Sequence, residues 1–378
     1  MHTYPPLHFA QKDTVRHTKT RKGSSVANAF LHSPGWKIRG ISRDALSLSS
    51  LAWISKGVEM VTANLEDVES LKAAFRGASV VFGNTDFWGH MQDSGTYERA
   101  RLEGRSANEV ARDREIEQGK HMVDAVAAIT DSDEGLLERF VLSTLSDCQG
   151  WSKGAISFNQ HFDAKAAQVE YLRRVYPELA KKTSLLQMGM YMSNWETSSV
   201  PRPARQSDGE FKVRLPIGGD VKVPMVDART DTGVLVKALV ELPAGVHLVG
   251  AGSCMSWNEW CRVWGKANGV ACVFERSDRM ELEEYMGATG REFADMFQYV
   301  EEFGYDGGDP GVVYPWDVSF HSLIYGGTFA NGNTAQGGHQ GDHRGGIHQE
   351  AGLVLGTCGR PNLRSAWRRQ NFNGFRYN

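Results

Sequence analysis

Between Gly23 and Met188 short apolar runs alternate with amphipathic stretches, and that alternation leaves few folds open. Trp36 to Ile41, Val58 to Thr62, Val80 to Asn84, Arg139 to Ser143 and Thr183 to Met188 read as strands. Helical patterns separate them. Leu71, Ala74 and Phe75 form one face of a helix that Gly77 ends, and Phe162 to Tyr176 is a helix closed by Pro177. Tyr97 to Ala128 reads as a single long, half-exposed helix. Repeated strand–helix–strand units of this kind require a parallel sheet with helices packed on its faces. Val80 to Phe82 is wholly apolar and is followed by Gly83 and Asn84, as expected of a central parallel strand.

The chain is weakest where such a sheet should begin. A dinucleotide fold opens with a buried strand running into a glycine-rich turn, so that the backbone and a helix N-terminus can approach a pyrophosphate. Ser24 to Leu31 reads as the helix leaving that turn, but residues 1–22 are His-, Lys- and Arg-rich and only Gly23 matches the motif. The first strand therefore reads as missing, since Pro6 to Val15 is thin in apolar side chains. The expected fold class is α/β, a Rossmann-like doubly wound parallel sheet with a smaller mixed α/β C-terminal lobe. Its expected parts are an atypical segment 1–22, the nucleotide-binding part 23–188, the lobe 189–318 and a glycine-rich, disordered tail 319–378. Within the lobe, Val213 to Val223 reads as a hairpin about Gly218-Gly219, and Ser256-x-x-Glu259 and Thr289-x-x-Glu292 read as capping boxes, the second helix ending at Gly304.

Composition excludes several roles. A net charge of -3 offers no general attraction to nucleic acid or anionic lipid. No apolar run approaches the roughly 20 residues that span a bilayer, and the start lacks a signal-peptide core. A soluble intracellular protein is expected, cytoplasmic or nuclear. Cys148, Cys254, Cys261, Cys272 and Cys358 have no paired spacing, so reduced thiols are expected rather than a disulfide framework or a zinc cluster. His339, His343 and His348 lack companion ligands, and no metal site is expected.

Chemistry is carried by residues at strand ends. Arg43 follows the second expected strand, where a guanidinium suits the 2′-phosphate of NADP and an acid would suit NAD. Asn64, then Asn84 and Thr85, then Ser143 follow the next strands in the order in which a dinucleotide would be met. His161 and Lys165 have the spacing of the Tyr-x-x-x-Lys pair of short-chain dehydrogenases, with an imidazole where the proton-donating phenol would stand.

Taken together, Val26 to Leu31, Trp36 to Arg43, Val80 to Trp88, His161 to Lys165 with Glu170 and Tyr171, Gln187 to Trp195 and Asp227 to Gly233 resemble the NmrA-like family, from about Gly23 to Asp317. The two ends depart from the family pattern, as an altered reading of the gene would produce. The resemblance implies an atypical short-chain dehydrogenase/reductase fold binding NADP, with NAD as a second candidate. It implies that Arg43 meets the 2′-phosphate, Asn84 and Thr85 the nicotinamide half, and Lys165 the ribose or substrate. Tyr191, Asn194 and Trp195 would line the pocket. The leading expectation is a dinucleotide-sensing negative regulator of transcription, as in nitrogen metabolite repression, acting on a GATA-type factor. The rival is an NADPH-dependent oxidoreductase of a small carbonyl or enone, using Lys165 and His161. A third reading is an interaction surface that binds no nucleotide.

Overall fold

A computed structural model describes residues 6–10, 21–31, 33–130 and 136–317. The tail, with its histidines, lies outside the described residues. The backbone is built around an eight-stranded, all-parallel sheet. Its strands are β1 (Pro6–Ala10), β2 (Lys37–Ser42), β3 (Glu59–Thr62), β4 (Val80–Gly83), β5 (Arg139–Thr144), β6 (Thr183–Met188), β11 (His247–Gly250) and β14 (Val312–Val313). They lie in the order β3-β2-β1-β4-β5-β6-β11-β14. The strand order reverses at β1 and β4, and such a switch point opens a crevice at the carboxyl ends of the strands.

The first strand corrects the sequence reading. Pro6–Ala10 supplies the central strand that seemed missing, pairing Leu7 with Ile38 on one side and Val80 on the other. Backbone hydrogen bonds to two neighbours hold such a strand, whatever its side chains contribute, so thin apolar content is a poor argument against it.

Helices cover both faces. One carries α1 (Arg21–Leu31) and α11 (Asp231–Glu241), whose Val26, Phe30, Leu235 and Leu239 pack on Ile38, Phe82, Val141 and Leu186. The other carries α3 (Val68–Phe75), α6 (Ala107–Thr130) and α8 (Gln160–Val175), packed on Ile41, Val81, Phe140 and Leu142 through Leu71, Phe75, Met122 and Leu172. Outside these lie α2 (Leu48–Ile54) and α9 (Pro177–Lys181), the latter opened by Pro177. None of the described helices is long and apolar enough to cross a membrane.

The expected single helix from Tyr97 is two. Ser94–Glu103 (α5) stops at Gly104, which takes φ 64°, and α6 restarts behind a Ser106–Glu109 box. A left-handed glycine followed by reciprocal capping breaks a helix even where charge patterning continues across the join.

The smaller lobe has two three-stranded sheets, β12-β10-β7 and β13-β9-β8. The first contains β7 (Met190–Tyr191), β10 (Val223–Val226) and β12 (Ser253–Met255). The second contains β8 (Ala204–Arg205), β9 (Phe211–Leu215) and β13 (Cys272–Arg276). The expected hairpin is therefore not one: β9 and β10 belong to different sheets, and the Gly218-Gly219 segment carries the chain between them. Of the lobe's helices, α12 (Trp257–Asn268) has the expected Ser256–Glu259 box. A second box, Asp278–Glu281, opens α13 (Arg279–Met286), and α14 (Ala288–Phe303) follows from Gly287 without a side-chain cap. The core between them is aromatic, with Trp257, Trp260, Trp264, Phe297 and Tyr299 all buried. Cys148, Cys261 and Cys272 are free thiols while Cys254 is disulfide-bonded, so the expectation of reduced thiols fails at Cys254.

Candidate functional site

The crevice at the carboxyl ends of β4 and β5 gathers most of the expected residues. Thr85 follows β4, and its hydroxyl donates to Glu115 Oε1 at 2.8 Å. Lys165, one turn into α8, donates to the Thr85 carbonyl at 2.8 Å and lies 3.0 Å from the same Glu115 oxygen. Gln168 Nε2 donates to Thr85 Oγ1 and to the Glu115 carbonyl, both at 3.1 Å. All four side chains are buried. Burial drives the Lys165 pKa down and Glu115 draws it back. This is a matched ion pair tying β4 to α6 and α8, costly to break on one side only.

A second lysine enters from α1. Lys22 donates to Asn84 Oδ1 at 2.8 Å and to Ser143 Oγ at 3.0 Å, and its ammonium lies 5.7 Å from the centre of the Tyr191 ring. Burial lowers its pKa from 10.5 to about 8, against the pull of Asp86 and Glu115. Gly23, the expected survivor of the glycine motif, is buried beside it within the first turn of α1.

His161, in the first turn of α8, has a carboxylate partner. Its Nδ1 lies 2.6 Å from Glu292 Oε1, and its backbone N–H donates to the same oxygen at 2.9 Å. Glu292 is fully buried on α14 and also accepts from Asn108 Nδ2 at 3.1 Å. The imidazole is 10% exposed and packs near Phe87, Trp88 and Phe162, with Trp88 stacked on Phe293. Trp88 and Phe87 stand on the short helix α4 (Phe87–His90), and a neighbouring one-turn helix, α7 (Cys148–Trp151), follows β5. Nearby Asp163 is pushed up to about 6, chiefly by burial.

Further along the sheet, Arg43 and Asn64 line one small cavity at the ends of β2 and β3, together with Asp93, Arg114 and Gln118. Trp195 and Asn194 lie on α10 (Asn194–Thr197); Trp195 meets Trp264 edge-on, within the aromatic core of the lobe. Of the residues expected from the sequence, Asn84 and Ser143 meet at Lys22, Thr85 meets Lys165, and His161 stands one turn before Lys165 on α8; Lys22, Glu115, Gln168 and Glu292 are not among those the sequence singles out for the site. The Thr289-x-x-Glu292 spacing is not a capping box: Glu292 instead accepts the His161 N–H in the first turn of α8.

The model of the NmrA-like family matches residues 19–323. The chain belongs to the NmrA-like family. Relatives include the NmrA-like family domain-containing oxidoreductase ptmS of Penicillium ochrochloron, 22% identical over 62% of this chain and 65% of that protein. The oxidoreductase FrzB of Cladobotryum sp is 23% identical over 67% of this chain and 72% of its own. The matched stretch thus spans just under two thirds of the Penicillium protein. Among solved structures, NmrA, a negative transcriptional regulator, in complex with NADP aligns with TM-score 0.57 and 16% identity over 81% of this chain and 83% of that one. The NADPH-dependent quinone oxidoreductase QOR2 of Escherichia coli aligns with TM-score 0.53 and 13% identity over 81% and 91%. At these identities the likeness shows the shared fold. This NmrA-like chain has Asn84 and Thr85 just past β4 and Ser143 near the end of β5.

Proposed function

We propose that the protein is an NADP(H)-dependent reductase of small carbonyl or enone compounds in which His161 delivers the proton. The observation that carries this reading is the 2.6 Å contact between His161 Nδ1 and the buried Glu292, one helical turn from Lys165. The residues of the crevice fit a dinucleotide: Arg43 and Asn64 share a cavity at the adenosine side, and Asn84, Ser143 and Thr85 stand at the strand ends toward the other half. When bound, the reduced nicotinamide would supply a hydride to the carbonyl carbon. The chain's own part is to position and to protonate. Glu292 accepts the Nδ1–H and fixes the orientation of the ring, so that a ring carrying both protons would give its Nε2 proton to the substrate oxygen. Lys165, bonded to Thr85 and Glu115, fixes the floor on which the ribose would rest. The oxidoreductase names of the matched relatives support the reading.

Purified protein should consume NADPH with one or more members of a carbonyl and enone panel. His161→Phe should lower kcat by about 10²- to 10⁴-fold, the usual worth of a positioned acid, while leaving NADPH affinity within twofold. No turnover with any acceptor, or full turnover in the variant, would reject the assignment. Lys165→Ala is the poorer probe, because it strands Glu115 and reports on folding as well.

A second reading, a dinucleotide sensor restraining a GATA-type transcription factor in the nucleus, draws on the likeness to NmrA, the negative regulator. It predicts dinucleotide binding with no turnover.

A further inference from the structure

We infer that Cys261 and Cys272 form a modification site, a dithiol that a small-molecule disulfide converts to an intramolecular disulfide tying α12 to β13. Gly269 ends α12 in the left-handed region at φ 69°, and the Val270 N–H bonds back to the Gly265 carbonyl at 3.0 Å. The chain thus turns straight back onto the helix. Cys261 and Gly265 share one face of α12, and a Cβ at Gly265 would come 3.1 Å from the Cys272 Cβ. With only hydrogen there, Cys272 reaches the helix and its sulfur accepts from the Cys261 thiol. Both are free thiols, Cys261 within the aromatic core of the lobe and Cys272 packed against it. They differ in access. Cys261 is buried, whereas Cys272 is half-buried with Val270 and Val273 exposed beside it. The hydrogen bond from Cys261 holds the Cys272 thiol below its ordinary range against its burial, and the same bond together with burial raises Cys261. Thiolate character and access both make Cys272 the sulfur that reacts first. Its thiolate attacks glutathione disulfide and releases one glutathione thiolate. Cys261 then attacks the Cys272 sulfur of the mixed disulfide, and its proton leaves with the second glutathione. The two protein thiols lose two electrons and two protons, and the glutathione disulfide is reduced to two thiols. Cys148 does not compete, because it is fully buried and burial pushes its thiol up.

The full chain is incubated with glutathione disulfide, blocked with N-ethylmaleimide and digested with trypsin without reductant, and the peptides are weighed by mass spectrometry. Cleavage after Arg262 and Lys266 places the two cysteines on separate peptides. Wild type should yield them cross-linked, about 2 Da lighter than the two reduced peptides together. Cys261→Ala should instead keep one glutathione on Cys272, with no second thiol to expel it, and Cys272→Ser should leave Cys261 without glutathione. One equivalent of phenylarsine oxide, which bridges neighbouring thiols, should shield both cysteines of wild type from N-ethylmaleimide, a readout that needs no variant. Oxidation should also raise the urea midpoint of wild type, because the link restricts the unfolded chain, and should leave that of Cys272→Ser where it was. Glutathione that stays on wild-type Cys272, a Cys272 that does not react, a link from either cysteine to a third one, or a midpoint that falls on oxidation would overturn the inference.

Discussion

Arg43 stands exposed just past β2, on the rim of the cavity it shares with Asn64. Its neighbours are occupied: Ser42 Oγ donates to the Asp44 carbonyl and accepts from the Asp44 amide, and Asp44 Oδ1 accepts from Leu46 N–H at 2.8 Å. The turn is thereby closed on itself, and the guanidinium is the group left to meet a 2′-phosphate. Arg43→Ala should lower NADP affinity by roughly 1.5 to 3 kcal/mol, the worth of a charge-assisted bond, and leave NAD affinity unchanged. Titration with the two dinucleotides decides it, because equal losses would place Arg43 elsewhere on the ligand. At this scale the sequence was legible where spacing is local. His161 and Lys165 lie one turn apart on one helix and could be paired by eye. Their carboxylates could not, since Glu292 and Glu115 are distant in sequence and a glutamate in a helix normally reads as a solvated face. Lys22 was hidden for a similar reason, as one cation in a basic run.

Helices were legible wherever an apolar face and a cap coincided, and misread where a cap was the only signal. The α5–α6 break rests on Gly104 and the Ser106–Glu109 box, neither of which interrupts the charge pattern. Packing between elements sets a further demand at Gly233 on α11. Its amide donates to Ser25 Oγ at 2.8 Å, and an added Cβ would come 2.3 Å from the Ser25 carbonyl oxygen on α1. Two effects of Gly233→Ala then compete. Helix propensity favours alanine by about 1 kcal/mol, while overpacking against backbone that cannot rotate away costs about 1 to 3 kcal/mol. The contact is to main chain, so the steric side should win, and urea unfolding should show a net loss of up to about 2 kcal/mol. A stabilised variant would mean that α1 slides freely on α11. That outcome would also weaken the placement of Lys22, which α1 carries.

For the whole molecule the decisive element is the strand least visible in the sequence. The order of the sheet follows from alternating strands and helices, which is why the doubly wound class could be read in advance. Its centre could not, because β1 is five residues set among basic and polar ones, while its register depends on neighbours from distant parts of the chain. Leu7 to Phe9 pair on both sides, with Ile38 to Gly40 of β2 and with Val80 to Phe82 of β4. The strand therefore joins the β2–β3 edge to the rest of the sheet and shapes the switch point where the crevice opens. Proline at position 8 tests it at the midpoint. His8→Pro removes one main-chain donor from a ladder bonded on both sides and adds a ring that a central strand cannot accommodate, leaving a carbonyl unpaired at a cost of about 1 to 3 kcal/mol before any steric strain. Against a total stability of about 5 to 15 kcal/mol that is a large fraction. It should appear as a lower urea midpoint and, as the edges of β2 and β4 lose their partner, as concentration-dependent aggregation. The same substitution should abolish dinucleotide binding before it abolishes helical circular dichroism, since the switch point is formed by β1 and β4 while the helices keep their own backbone hydrogen bonds. A variant with an unchanged midpoint and unchanged binding would show that the sheet closes without Pro6–Ala10 at its centre.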